Sequence, residues 1–120
     1  MSFSRIKVSE NATRQLSTLK GRLKVTPNFI CRMALCTSLE ETGSPNPNQY
    51  DQEGQEFNRY TLTGEYDPLF SALVREKLTT DGLEIEGYFD EQYRAHLNRG
   101  IATLFGRVKG MGDLVDLIKT

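Results

Sequence analysis

The residues that could do chemistry in this chain are first of all its bases. Arg5, Lys7, Arg14, Lys20, Arg22, Lys24 and Arg32 all fall within the first 39 residues, where Glu10 is the one acid. Net charge is +6 over residues 1–39, −10 over 40–93 and +3 over 94–120, leaving −1 for the chain. Cations gathered at one end of an otherwise acidic sequence suit a polyanion, above all a phosphate backbone. The competing reading is a solvated surface whose charges pair with the acidic middle. Lys and Arg on phosphate give affinity without sequence information. The stretch lacks the Asn, Gln and Arg mixture of a strong base reader, so shape or backbone recognition is expected of it.

Other candidates for chemistry are weaker. His96 stands between Ala95 and Leu97 with no Ser or Cys at a recognisable catalytic spacing, which points to a satisfied core or surface histidine. Cys31 and Cys36 fall on one expected helix, roughly 500° apart around its axis, so they cannot bridge within it. One His and no Cys-x-x-Cys make a zinc site unexpected, and both thiols are expected to be buried small apolar groups. Glu84, Glu86, Asp90 and Glu91 cluster as caps and solvated surface would; a nuclease-like metal site is the remote alternative. Gly106-Arg-Val-Lys-Gly110-Met-Gly112 has the look of a phosphate loop, but lacks the Gly-Lys-Ser/Thr ending and follows a helix pattern. It is read as helix termination, with Arg107 and Lys109 free to extend a basic face. Tyr60, Tyr66, Tyr88 and Tyr93 are read as packing at the core rim. No catalytic residue, cofactor site or metal site is assigned.

Stepping along the chain, Phe3 to Val8 alternates: Ile6 and Val8 face one way, and Phe3, Arg5 and Lys7 the other. That is a short strand. It needs a partner for its backbone groups, and no adjacent strand follows, so a second copy of itself is a natural solution. Ser9 caps a helix carrying Ala12, Leu16 and Leu19, with Gly21 as its stop. Thr26-Pro27 opens a second helix with Ile30, Met33, Ala34 and Leu35 on its apolar face, closed at Gly43. Residues 42–56 are rich in Pro, Asn, Gln and Gly, a polar loop of unusual length. Phe57 to Tyr66 is a short strand or irregular segment. Asp67-Pro68 starts a helix with Leu69, Phe70, Leu73, Val74 and Leu78 as its buried face. Residues 83–89 alternate and suit a strand or an extended connector. Asp90 caps a longer helix with the stripe Tyr93, Leu97, Ile101, Leu104, Phe105 and Val108, and Asp113 a last short one.

The expected fold is therefore mainly α and ribbon-helix-helix-like. A short N-terminal strand is followed by about five helices, with the long polar loop after the second. Residues 1–120 form a single domain, divided into a basic unit (1–41), the polar loop (42–66) and a helical scaffold (67–120). In a ribbon-helix-helix unit two chains pair their N-terminal strands and send the outward side chains into a DNA groove. Those side chains would be Phe3, Arg5 and Lys7, with Lys20, Arg22 and Lys24 on the DNA backbone. No apolar run approaches the roughly 18 residues a membrane helix needs, and the N-terminus lacks a signal-peptide core. A cytoplasmic location is expected.

The pattern as a whole resembles the DndE family of the DNA phosphorothioation, or DNA sulfur modification, system. The residues that carry the resemblance are Phe3-Ser-Arg-Ile-Lys-Val-Ser9, Thr26-Pro27-Asn-Phe-Ile-Cys-Arg-Met-Ala-Leu35, the Pro-Asn loop with Glu56-Phe57-Asn-Arg-Tyr60, and Gly100-Ile-Ala-Thr-Leu-Phe-Gly106. It runs over nearly the whole chain. The resemblance implies a small helical protein that self-associates as a tetramer and binds double-stranded, including nicked, DNA. It would act beside other DNA sulfur modification proteins that replace a non-bridging phosphate oxygen by sulfur, without being an enzyme itself. On the residues alone, the DNA-binding positions are Arg5, Lys7, Lys20, Arg22 and Lys24. A ribbon-helix-helix transcription regulator and an assembly protein that does not touch DNA are the alternatives.

Overall fold

The computed structural model describes residues 3–109 and Gly112. In chain order the elements are β1 (Arg5–Lys7), α1 (Glu10–Leu23), α2 (Pro27–Glu40), β2 (Glu56–Asn58), α3 (Arg59–Thr63), α4 (Asp67–Thr80) and α5 (Ile85–Arg107). The fold is mainly helical, with four long helices, the one short helix α3 and a two-stranded sheet. The last helix expected from Asp113 lies outside the described residues.

β1 has the inside-out alternation its sequence predicts: Ile6 is buried between exposed Arg5 and Lys7. Its partner, however, is β2 of the same chain, antiparallel in the register Arg5↔Asn58, Ile6↔Phe57, Lys7↔Glu56. Ile6 and Phe57 thus meet on the buried face, and the backbone groups of β1 find partners without a second copy. Phe3, expected to point outward with Arg5, instead packs on Tyr93 at 5.0 Å and Phe89 at 6.2 Å between ring centroids. This corrects the ribbon-helix-helix expectation at its central feature.

Ser9 and Thr26 cap as expected: Ser9 Oγ accepts from the N–H of Ala12, and Thr26 Oγ1 from that of Phe29. Gly21 does not stop α1. The helix runs on to bury Leu23 beside Leu16 and Leu19, and ends at Lys24, which takes the left-handed conformation (φ 57°, ψ 38°). The buried leucine draws out the extra turn, and the strain falls on Lys24. Asp67 does not act as a cap either. Its carboxylate lies inside the first turn of α4, where it accepts from Arg59 (Nε–Oδ1 3.0 Å) and from Thr63 Oγ1 (2.8 Å). Arg59 is buried, with its guanidinium 4.8 Å from the Phe3 ring centre. This pair fastens α3 and α4 to the N-terminal strand.

α5 starts at Ile85, five residues before the expected cap at Asp90, so residues 85–89 are helical rather than extended. The reason is period: Phe89, Gln92, Tyr93, His96 and Gly100 share one buried side, and Phe89 joins it only in a helix. α5 is the axis of the molecule, with α1, α2 and α4 packed around it. α2 lies so close that a Cβ on Gly100 would collide with the Ala34 carbonyl. On α4, Phe70, Val74 and Leu78 are buried as expected, but Leu69 and Leu73 are exposed by 54% and 39%. Of the two thiols Cys31 is buried and Cys36 exposed, against the expectation that both are buried.

The polar loop is tied down. Gln92 Nε2 donates to the Pro45 carbonyl, Arg94 donates to those of Tyr50 and Pro47, and Ser44 donates to Asp81. Asp51 accepts from the N–H groups of Glu10 and Glu53, which hold its carboxyl below the usual range. Gly54 is required at its crossing, because a Cβ there would strike Thr13 and the carbonyls of Val8 and Ser9.

Candidate nucleic-acid interface

The five basic residues singled out in the sequence do not form one cluster. Arg5 and Lys7 sit on the outer face of β1. Lys20, Arg22 and Lys24 sit at the far end of α1, whose 14 residues span roughly 20 Å. Arg14 is exposed on the helix between them.

At the far end the fold adds cations from another part of the chain. Arg22 Nη1 donates to the Val108 carbonyl at 3.4 Å, which brings the last turn of α1 against the last turn of α5. The guanidinium of Arg22 lies 5.1 Å from the centre of the Phe105 ring, and Lys109 Nζ lies 5.9 Å from it. Phe105 is thus a half-buried platform between two cations. Lys20 and Lys24, two residues either side of Arg22, and Arg107 and Lys109, either side of Val108, are exposed. α5 ends at Arg107 with the Val108 N–H bonded to the Leu104 carbonyl, so the glycine-containing segment terminates a helix, as expected, and delivers two bases to this edge.

Among the described residues the acidic middle makes no ion pair with the bases of α1. Among the described residues the ion pairs are Arg5–Glu56 (3.2 Å), Arg59–Asp67, Lys77–Asp81 and Arg99–Glu41. Arg5 is therefore partly answered, while Lys7, Lys20, Arg22 and Lys24 have no carboxylate partner among the described residues. The Arg5 pair is exposed and worth little in water.

One constellation went unread in the sequence. Ser38 Oγ lies 2.8 Å from His96 Nδ1 and accepts from Arg99 Nε at 2.8 Å. A Ser–His pair suggests nucleophilic catalysis, but Ser38 is 0% and His96 1% exposed. Burial and the nearby Arg99 and Lys77 push the His96 pKa down to about 4, so the ring is neutral and structural. The partners are 58 positions apart, and no local pattern announces the pair. Burial pushes the Cys31 thiol up to about 12, which leaves it unreactive, and raises that of Cys36 as well. No group of three or more His, Cys, Asp or Glu among the described residues is placed to hold a metal ion. No helix among them is long and apolar enough to cross a membrane.

The fold and this edge define a small helical protein with one strongly cationic end. Residues 5–110 match the family model described as DNA sulphur modification protein DndE, and the chain belongs to the DndE family, which is involved in DNA phosphorothioation. Solved structures agree. The crystal structure of DndE from Escherichia coli B7A, involved in DNA phosphorothioation modification, superposes with a TM-score of 0.69 at 27% identity, covering 87% of this chain and 98% of that one. A DndE mutant with two glycine-to-lysine substitutions, also involved in DNA phosphorothioation, gives 0.68 at 26% identity, covering 87% and 99%. No curated protein matches the sequence.

Proposed function

We propose that the chain is a non-enzymatic, DNA-binding subunit of the phosphorothioation machinery, which holds the duplex backbone while partner proteins of the sulfur modification system do the chemistry. The observation that carries this reading is the docking of α1's last turn on that of α5 through Arg22, Val108 and Phe105, which brings the Lys20–Lys24 stretch to the helix end that carries Arg107 and Lys109, with no ion pair to α1's three bases among the described residues. Arg14 is exposed on α1, and Lys7 lies on β1, which leads into the end of the helix opposite Lys24. A duplex lying along α1 would meet phosphates at both ends of the helix, and a nick would let the backbone bend between them. Five contacts on one protomer are few. Self-association, as a tetramer, multiplies them. Tyr66, just before α4, and Leu69 and Leu73 on it are exposed and are the surface that supports contact with a second copy. The same apolar edge is what favours the alternative, an assembly protein whose cationic end is incidental. The operator-reading ribbon of a transcription regulator has less support, because β1 is already partnered by β2. A cytoplasmic setting follows from the DNA substrate.

The test is salt-titrated binding to intact duplex, nicked duplex and single strand, with particle mass measured by light scattering in the same samples. An oligomer that binds irrespective of sequence, with a steep salt slope that flattens in Lys7→Glu and Lys24→Glu, supports the reading. Failure to bind any of the three at low salt removes it in favour of the assembly protein.

A further inference from the structure

α2 and α4 leave a groove of about 370 Å³ between them, lined by Cys36, Leu39 and Glu40 of α2 and by Leu73, Glu76 and Lys77 of α4. Cys36 and Leu73, two of its three apolar residues, are exposed. Its charged lining is anionic on balance. Lys77 is already taken, since it donates to the Glu41 carbonyl at 2.8 Å and pairs with Asp81 at 3.5 Å. Glu40 and Glu76 are exposed and make no ion pair among the described residues. A groove of this kind suits the apolar face of an amphipathic helix with a cation at its edge.

The chain carries such a segment in its own sequence, beyond residues 5–110, which the family model matches. Met111, Leu114, Val115 and Ile118 fall at i, i+3, i+4 and i+7, the anchor spacing of a helix that lies in an apolar groove. At helical spacing Asp113 and Asp116 fall on the opposite side, and Lys119 on the flank. The groove is within reach. Thr103, one turn before the end of α5, donates to Glu41 Oε2 at 3.1 Å, and the Glu41 carbonyl accepts from Lys77 in the groove wall. The turn from Thr103 to Arg107 rises roughly 6 Å, while the stretch from Gly110 to Ile118 spans up to roughly 30 Å when extended. We propose that residues 111–118 dock as an amphipathic helix in the α2–α4 groove of their own chain, Leu114 and Ile118 on its apolar lining and Lys119 beside Glu40 and Glu76. Attachment to α5 gives the segment an effective concentration of about millimolar, an advantage that a separate chain lacks. The docked segment covers Cys36 and Leu73. Leu73 also belongs to the surface offered to a second copy, so a copy that binds there must first displace the segment. That competition rests on the self-association reading above; the docking itself does not.

Cys36 is a built-in reporter. The experiment follows its labelling by N-ethylmaleimide in the full chain by peptide mass spectrometry, with the buried Cys31 as the control for folding. Cys36 is expected to label at least ~10-fold more slowly than in the double variant Leu114→Asp with Ile118→Asp, while Cys31 stays slow in both. Equal Cys36 rates in the two proteins overturn the proposal. The source of the segment is read from Leu114→Cys and Ile118→Cys, each oxidised in dilute solution and resolved without reductant. A disulfide to Cys36 within one chain, in either variant, is the expected result. A disulfide-linked dimer in place of it, which makes a second copy the source, or no bond to Cys36 in either variant, overturns the proposal. Neither readout involves DNA or particle mass, so failure here is told apart from failure of the duplex-binding, self-associating reading.

Discussion

Lys24→Gly separates stability from binding by moving them in opposite directions. Lys24 ends α1 with φ 57°, and its N–H bonds to the Lys20 carbonyl at 2.8 Å. A left-handed conformation costs an L-residue about 1–2 kcal/mol that glycine does not incur. Glycine gives back part of that in unfolded-state entropy. The net expectation is a stabilisation of about 1 kcal/mol, or roughly 4 °C in Tm for a domain of this size. The same substitution deletes one of five cations on the α1–α5 edge. If all five neutralise phosphates, the log–log salt slope is about −4.5, a ~500-fold loss of affinity between 50 and 200 mM salt. With four the slope is about −3.6 and the loss ~150-fold. Thermal denaturation and fluorescence anisotropy at four salt concentrations measure both quantities. A stabilised variant with an unchanged slope would refute a phosphate contact at Lys24. A destabilised one would refute strain at the cap. Because the variant is expected to be more stable, weaker binding could not be blamed on misfolding.

Asp67→Ala leaves the buried Arg59 charge without its partner and should cost about 3–5 kcal/mol in urea denaturation; the pair Arg59→Met with Asp67→Leu should recover most of it. Gly100→Ala drives a Cβ into the Ala34 carbonyl and should cost about 1–3 kcal/mol or more, since α2 and α5 must separate. His96 is buried neutral with its pKa lowered to about 4. The unfolded chain protonates near 6.5 and the folded chain resists until about 4, so the folded state should lose about 3 kcal/mol as pH falls through that window. His96→Gln should flatten the profile between pH 6.5 and 4.

What was legible in the sequence was local. Ser9 and Thr26-Pro27 mark helix starts because a hydroxyl acts on an N–H three residues on, and Tyr93, Leu97, Ile101 and Leu104 show the period of the buried side of α5. What was not legible required distant partners. β1 reads correctly as a strand, but β2 lies some fifty residues further on and is only three residues long, too short to announce itself. Ser38 and His96, or Arg59 and its ring of aromatics, are assembled by packing alone. Gly21 and Leu69 misled for the opposite reason. Each has a strong local preference, overridden at Gly21 by the burial of Leu23 and at Leu69 by the absence of anything to pack against.

The candidate interface shows the same division. The density of bases in the first 39 residues was visible, but not which of them act together. α1 carries the answer, because its length puts Lys7 and Lys24 at opposite ends of a rigid rod and its last turn docks on α5 through Arg22 and Val108. That contact turns a charge bias along the sequence into a surface: the terminating turn of α5 contributes Arg107 and Lys109, and both Arg22 and Lys109 lie against Phe105. Arg22 is the residue on which this depends, since it both contributes charge and fixes the distance between the two helix ends. Replacing it with Lys would keep the charge but lose the planar group that stacks on Phe105 while bonding the Val108 carbonyl. Affinity at the edge therefore rests on geometry as much as on the number of positive charges.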